Sequence, residues 1–244
     1  MSKPVCLITG VGGGTGGAIA KKFGRNGYRV AMLARSPAFI GGLEQQIEDS
    51  KAYVSDVGNL DTFTETIDRV KTEMGIPEVA IHNAVRGGFS RFLEADPEDL
   101  EKNFRVNTTS LLYLARALAP DMIKAGKGAI IVTGNTSSLR GIPTYSVFAA
   151  TKAAQRILAQ SLARDLGPKG IHVGYVTIDA AIDAPWLTPE IRPDWLKLPK
   201  DWPHEREDFF ANTDAIADEV YHIAHQHKTT WSFDHIIRPF AEKW

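Results

Sequence analysis

The 244-residue sequence is poor in cysteine, with Cys6 as its only thiol. A disulfide within the chain is therefore excluded, and the apolar neighbours of Cys6 predict a buried, unreactive side chain. The chain also has little excess charge, because 28 lysines and arginines oppose 29 acidic residues. Such a balance offers no electrostatic surface for nucleic acid or for a membrane.

Long apolar runs are absent as well. No stretch is long enough to cross a bilayer, and the first apolar run begins at Val5, which leaves no space for a signal peptide. We therefore expect a cytoplasmic protein. With 43% hydrophobic residues, the chain has enough apolar material for a core, and neither repeats nor a low-complexity tail are present.

Short apolar runs alternate with longer segments of helical periodicity. Strands are predicted at 5–9, 28–34, 51–54, 79–82, 129–133, 172–178 and 235–237. This alternation predicts an α/β fold of the Rossmann type, doubly wound, with helices on both faces of a mostly parallel sheet. We expect a single domain over residues 1–244.

Capping residues mark the ends of several helices. Ser36 and Asp96 each precede a proline, an arrangement that starts helices, whereas Gly75 and Gly167 are expected to end them. The start at Asp96 opens a predicted long helix that carries an apolar stripe.

The segment 183–212 departs from the alternation. It is rich in proline, which opposes a long helix, and in tryptophan and phenylalanine, which oppose disorder. We interpret it as a substrate flap within the domain, packed in part over a pocket.

A glycine-rich turn follows the first strand and leads into a helix predicted for residues 18–26. Glycines at such a turn let backbone N–H groups approach a pyrophosphate, while the helix N-terminus adds partial positive charge. A flexible loop would share this composition, but the strand before the turn and the helix after it favour cofactor binding. The expected contacts are Gly10, Gly12, Gly13, Gly14, Thr15 and Gly16.

The end of the second strand bears on the choice of cofactor. An acidic residue at this place usually holds the ribose 2′-hydroxyl of NAD, whereas an arginine accommodates the 2′-phosphate of NADP. This chain has Arg35 and Ser36 there and no carboxylate. A solvated surface arginine is the simpler alternative, but the pair favours NADP(H) over NAD(H).

These motifs together resemble the short-chain dehydrogenase/reductase family over nearly the whole chain. Thr9, Gly10, Gly14 and Gly16 match its TGxxxGxG turn, and Lys152 matches its lysine segment. The resemblance implies further positions in the site. Asp56 and Val57 would contact the adenine, Asn83 and Ala84 would line the adenine ribose, Ile182 would hold the nicotinamide carboxamide, and Asn107 matches the asparagine of the long fourth helix.

The departures from the family pattern lie where the reaction should occur. Phe148 stands where the family has its acid, a tyrosine, and Asn135 aligns with the family's serine. A shifted alignment would place Ser137 or Ser138 there instead. The resemblance implies that Lys152 binds the nicotinamide ribose, but a phenyl ring has no proton to give.

Three routes remain open for the missing proton. Tyr145 precedes Phe148 by about one helical turn, although the family uses that position to touch substrate. Lys152 could relay a proton through Asn107 and water, as the resemblance implies. The third route is an acceptor that needs no protonation at oxygen, such as an iminium ion or an activated enone. The amide of Asn135 could donate a hydrogen bond to a developing oxyanion.

We therefore predict an NADP(H)-dependent oxidoreductase acting on a small, largely apolar carbonyl, imine or activated enone. A catalytically silent NADP(H)-binding sensor or partner subunit is the alternative, and a nonredox isomerase or lyase is a third. The resemblance implies a homodimer or homotetramer built on helices at 97–122 and 145–166 and on the last strand. No metal site is expected.

Overall fold

The computed structural model describes residues 3–185 and 210–241. Within these ranges the strands are β1 (Val5–Thr9), β2 (Arg29–Ala34), β3 (Ser50–Val54), β4 (Pro77–His82), β5 (Gly128–Asn135), β6 (Ile171–Ile178), β7 (Ala181–Asp183), β8 (Phe210–Asn212) and β9 (Asp234–Ile237). The large sheet is parallel throughout and has the order β3-β2-β1-β4-β5-β6-β9. The order reverses between β1 and β4, which opens a crevice at their carboxyl ends.

The helices cover both faces of this sheet, as predicted. They are α1 (Thr15–Arg25), α2 (Pro37–Glu44), α3 (Leu60–Met74), α4 (Pro97–Phe104), α5 (Ser110–Ala125), α6 (Ser146–Leu166) and α7 (Thr213–Ala224). Side chains of β1 alternate between two cores. Val5 and Leu7 pack with α3, α5 and α6, whereas Cys6 and Ile8 pack with α1, α2 and α7. Burial on both faces explains the continuous apolar runs.

The long helix predicted from residue 97 is interrupted. A π-helical turn, Arg105–Thr109, separates α4 from α5 and contains Asn107. Such single turns occur often at functional sites. The side chain of Asp96 caps α4 by accepting a hydrogen bond from the Glu98 amide at 3.0 Å.

Two of the predicted helix boundaries differ in detail. Gly75 ends α3 with a φ of 101°, as expected for a glycine terminator. At the end of α6, Gly167 keeps right-handed backbone angles and begins a short 3₁₀ turn, and the left-handed residue is Gly170. Ser36 precedes α2 without a capping hydrogen bond from its side chain.

Two short strands lie apart from the main sheet. β7 and β8 pair in parallel, with Ala181 opposite Phe210 and Asp183 opposite Asn212. The two ends of the predicted flap are therefore neighbours, while residues 186–209 lie outside the described part of the chain. None of the helices in the described ranges is long and apolar enough to cross a membrane.

Candidate cofactor and active-site cleft

A cleft of about 970 Å³ occupies the crevice at the carboxyl ends of the strands. It extends from the glycine turn, past the ends of β2 and β3, to the ends of β5 and β6. Most of the residues predicted for the cofactor and active sites line it: Gly10, Gly12, Gly13, Gly14, Thr15, Gly16, Arg35, Ser36, Asp56, Val57, Asn83, Ala84, Asn135, Lys152 and Ile182. Asn107, Tyr145 and Phe148 are not among the residues that line it.

The glycine turn is tightly packed on one side and open on the other. Gly10 has a φ of 72°, and a Cβ there would stand 2.5 Å from the backbone of Ala84. At Gly16, a Cβ would collide with the Gly10 carbonyl. At Gly12 it would meet no heavy atom within 4 Å, and at Gly13 the nearest is 3.6 Å away, on Phe39.

A buried hydroxyl without a partner adds to this open side. Thr15 begins α1, and its Oγ1 has no hydrogen-bond partner within the described residues. Buried polar atoms are rarely left unpaired unless a ligand or water completes them. Open glycines, an unpaired hydroxyl and a helix N-terminus together fit a pyrophosphate.

Asn83 ties the turn to the sheet. Its Nδ2 donates to the Gly10 carbonyl at 2.9 Å, and its Oδ1 accepts from the Thr133 hydroxyl at 2.9 Å. The backbone amides of Asn83 and Ala84 both donate to the Thr9 hydroxyl at 3.2 Å. Asn83 thus holds three strand ends in register as well as lining the cleft. The sequence analysis did not identify Thr133.

At the ends of β2 and β3, the rim of the cleft carries a cation without an ion-pair partner among the described residues. Arg35 and Ser36 are exposed, and Arg35 forms no ion pair with any residue that the structure describes. Asp56 accepts a hydrogen bond from the Gly58 amide at 2.9 Å, which shapes the loop after β3. The neighbouring Ser55 hydroxyl is buried and unpaired within the described ranges.

Lys152 lies at the opposite end of the cleft, on α6. Its side chain is almost completely buried, and its Nζ donates to the Thr133 carbonyl at 3.3 Å and to Oε1 of Gln155. Burial disfavours the charged form and lowers the pKa of Lys152 to about 7.

Behind Lys152 lies a buried polar chain that the sequence analysis did not identify as part of the site. Gln155 contacts Nδ1 of His82 through its Nε2 at 3.2 Å, and Nε2 of His82 contacts the Ser110 hydroxyl at 2.7 Å. All three side chains are fully buried. Burial, followed by the charge of Lys152, lowers the pKa of His82 to about 3, so this imidazole is neutral. The sequence feature that could have indicated this polar chain is Gln155, a polar residue on the buried face of α6.

Asn107 is fully engaged by the protein. Its Oδ1 accepts from the Arg86 amide, and its Nδ2 donates to the Arg86 carbonyl and to the Thr151 hydroxyl, each at 2.9 Å. This side chain therefore fastens the segment after β4 to α6. None of these hydrogen bonds involves Lys152.

Phe148 belongs to an aromatic cluster with Tyr145 and Phe89. The ring centroids are 5.5 Å apart for Phe89 and Phe148, 5.9 Å for Tyr145 and Phe148, and 5.0 Å for Phe89 and Tyr145. Phe148 is only 3% exposed. The loop that carries Phe89 is joined to the start of α6 by a bridge between Ser90 and Tyr145. This cluster packs around the first turn of α6, one turn before Lys152.

Asn135 ends β5 and lines the cleft, whereas Ser137 and Ser138 lie in the following 3₁₀ turn. The Ser138 hydroxyl is committed to the Asn135 carbonyl at 2.8 Å. The side-chain Oδ1 of Asn135 is buried and has no partner among the described residues. Of these three residues, Asn135 therefore presents the polar group to the cleft.

Ile182 lies in the centre of β7, opposite Ala211 of β8. It lines the cleft together with Ala180 and Ala184, so the base of the predicted flap is apolar. Among residues 3–185 and 210–241, no group of histidine, cysteine or acidic side chains is arranged to hold a metal ion.

Comparisons with known proteins agree with this architecture. The family described as short chain dehydrogenase matches residues 4–184. Diacetyl reductase, (S)-acetoin forming, of Staphylococcus epidermidis is 32% identical over 181 residues, covering 71% of this chain and 69% of that protein. Versicolorin reductase of Emericella nidulans is 29% identical over 177 residues, covering 70% and 67%.

A solved structure extends the likeness to the whole fold. L-sorbose reductase from Gluconobacter frateurii, complexed with NADPH and L-sorbose, superposes with a TM-score of 0.88 at 21% identity, over 100% of this chain and 98% of that one. The sheet order, the glycine turn, the lysine on α6 and the match over residues 4–184 lead to one conclusion: the chain belongs to the short-chain dehydrogenase family.

Proposed function

We propose that the protein is an NADP(H)-dependent oxidoreductase that transfers hydride to or from a small, largely apolar carbonyl, imine or activated enone. The observation that carries this proposal is the continuous cleft, which joins the glycine turn and Arg35 at one end to Lys152 and Asn135 at the other. The two relatives named above are called reductases. A chain that had kept only the fold would have no physical need for a buried lysine at this place.

The preference for NADP(H) rests on the charge at the end of β2. Arg35 is exposed at the rim and has no acidic partner in the described ranges, so its guanidinium is free to pair with a 2′-phosphate. Ser36 leaves its hydroxyl uncommitted as a helix cap and adds a donor. No carboxylate stands beside them to hold a ribose 2′-hydroxyl.

The reaction depends on how the chain positions a nicotinamide, which supplies the hydride when it is bound. The amides of the glycine turn and the N-terminus of α1 hold the pyrophosphate. Lys152 has one proton left for a ribose hydroxyl after its bonds to Thr133 and Gln155. The amide of Asn135 donates a hydrogen bond to an oxygen of the acceptor.

The proton source distinguishes the acceptors. Phe148 cannot act as an acid, and loss of general acid catalysis costs roughly a hundred- to ten-thousand-fold in rate. Tyr145 lies outside the cleft lining, and the side chain of Asn107 is committed to Arg86 and Thr151. These contacts favour an acceptor that needs no proton at oxygen, namely an iminium ion or an activated enone, over a simple ketone.

Cofactor binding is the first test. Fluorescence titration of the wild type should give an affinity for NADPH at least about tenfold tighter than for NADH, because a charged contact contributes more than one tenfold step. Arg35→Ala should abolish that preference, while Arg25→Ala, an exposed arginine at the far end of α1, should keep it. Absence of binding to either nucleotide would overturn the enzyme proposal.

Turnover separates the enzyme from the silent alternative. NADPH oxidation would be followed with ketones, imines and activated enones at equal concentration. We expect imines or enones to react faster than ketones. Tight NADPH binding without turnover of any of these substrate classes would favour an NADP(H)-binding sensor or partner subunit. The observation that supports this alternative is that Phe148 has no proton to donate.

A further inference from the structure

We infer that Gln155, held in orientation by His82, is a positioning residue that keeps the Lys152 ammonium protonated and aimed at the cleft. The inference rests on the proposed function for its meaning in catalysis, but its geometry stands on the protein alone. It assigns a role to polar side chains that neither cofactor nor substrate would touch.

The direction of each hydrogen bond in the chain can be worked out from its far end. The Ser110 hydroxyl donates its single proton to the Val106 carbonyl at 2.7 Å. Its oxygen must therefore accept from His82, so Nε2 of His82 carries the proton and Nδ1 is an acceptor. Nδ1 then accepts from the amide NH₂ of Gln155.

This sequence of bonds leaves Gln155 one orientation. With its NH₂ directed to His82, its Oε1 faces Lys152, to which it is a direct hydrogen-bond acceptor. The Tyr175 hydroxyl donates to the same oxygen at 3.5 Å. If the Gln155 amide were flipped, its NH₂ would face the Lys152 ammonium and its carbonyl oxygen would face the lone pair on Nδ1 of His82. Both contacts would be repulsive.

The consequence for Lys152 concerns its charge. Desolvation alone lowers its pKa to about 7, and no described carboxylate offsets that loss. The titratable groups facing it are His82 from β4 and Tyr175 from β6. His82 is neutral, and burial raises the pKa of Tyr175, so neither supplies a negative charge. The contacts that remain to stabilise the Lys152 ammonium are two carbonyl acceptors, Oε1 of Gln155 and the backbone carbonyl of Thr133.

The test measures the protonation of Lys152 in the protein without cofactor, by NMR titration of lysine Cε labelled with ¹³C. Gln155→Leu removes the carbonyl acceptor and should lower the pH at the titration midpoint of Lys152 relative to the wild type. Gln155→Glu supplies a negative charge and should move it above. Tyr175→Phe removes a competing donor to Oε1 of Gln155 and should raise the titration midpoint of Lys152 slightly. Gln160→Leu, the same substitution later on α6, should leave it unchanged.

The same variants have a second readout in NADPH affinity as a function of pH. The alkaline fall in affinity should move to lower pH in Gln155→Leu and to higher pH in Gln155→Glu. Opposite shifts exclude a general loss of stability, which would weaken both variants alike. If Gln155→Leu fails to fold, Gln155→Glu and Tyr175→Phe still decide the sign.

The possible failures are distinguishable. An unchanged Lys152 midpoint in Gln155→Leu and Gln155→Glu, with both folded, would overturn the positioning role. Shifted midpoints in a protein that binds no NADPH would support the positioning role and overturn the proposed function instead.

Discussion

At the scale of single residues, the proposed chemistry of the cleft depends on Phe148, whose ring carries no hydroxyl. Phe148 lies one helical turn before Lys152 and is sealed by Phe89 and Tyr145. Its ring centroid lies 5.5 Å from that of Phe89 and 5.9 Å from that of Tyr145. Asn135 lines the cleft, and its side-chain Oδ1 has no hydrogen-bond partner among the described residues.

Restoring the hydroxyl should restore a proton donor. We predict that Phe148→Tyr increases kcat/KM for simple ketones by about a hundredfold or more, the lower end of what general acid catalysis contributes. The measurement is steady-state ketone reduction with NADPH. Phe89→Tyr adds the same hydroxyl to the same cluster without a lysine one turn away, and should give no gain. A loss of all activity in Phe148→Tyr would instead mean that the phenyl ring is needed as a wall.

At the scale of elements, the glycines in the turn between β1 and α1 have two different roles, because some are needed for folding and others for ligand binding. Position 10 requires a glycine because its φ is positive and the backbone of Ala84 is close, whereas Gly12 faces open space. The two positions look alike in the sequence. Their difference arises because the segment directly after β4 passes close to Gly10, a contact that no local pattern predicts.

Alanine substitutions should separate these two roles. Gly10→Ala should lower the free energy of unfolding by about 2 kcal/mol or more, because a strained φ and a backbone clash combine. Gly12→Ala should leave the stability nearly unchanged and still weaken NADPH binding, since its methyl group enters the phosphate cradle. Urea unfolding and fluorescence titration measure the two effects. Equal stability of both variants would contradict this division.

Elements buried on both faces were predictable from the sequence, and elements set by tertiary contacts were not. All seven strands of the main sheet were predicted within two residues of their bounds, and central strands such as Val5–Thr9 are buried throughout. The π-helical turn around Asn107 was missed, since its cause lies in hydrogen bonds to Arg86 and Thr151. The ribbon of β7 and β8 was missed because its strands are too short to show a period.

The site divides in the same way. The glycine turn, Arg35 and Lys152 occupy positions that a sequence pattern identifies, and the cleft contains all of them. The chain from Gln155 to Ser110 is distributed over α6, β4 and α5, with no spacing that links its members. His82 looks in the sequence like an ordinary residue of a strand end, and only the structure shows that both of its ring nitrogens are bonded.

At the scale of the whole molecule, apolar side chains remain exposed on the elements through which the family resemblance implies assembly. Ile157 on α6 is 55% exposed, and Leu112 on α5 and Ile236 on β9 are also open to solvent. Exposed apolar side chains grouped on neighbouring elements are typical of interfaces. We propose that two or four copies of the chain pack through these elements.

A charge at the centre of this surface should weaken the assembly. We predict that Ile157→Lys shifts the sedimentation of the protein from an oligomer toward the monomer, because an unpaired ammonium in an apolar interface must be desolvated. Ile76→Lys, at a similarly exposed isoleucine ahead of β4, is the matched control and should sediment like the wild type. A wild type that is already monomeric at all concentrations would refute the proposed assembly.

The β7–β8 ribbon has a consequence for how such a protein can diversify. Ala181 and Phe210 are paired across the ribbon, so the two anchors of the intervening segment lie side by side. A replacement segment would therefore have to join two neighbouring points, and doubling the length of a flexible insert costs only about 0.6 kcal/mol. Grafting another stretch between those two anchors would change what enters the apolar end of the cleft while the glycine turn, Arg35 and Lys152 stay in place. We therefore propose that the segment between β7 and β8 can be exchanged without disturbing the rest of the cleft.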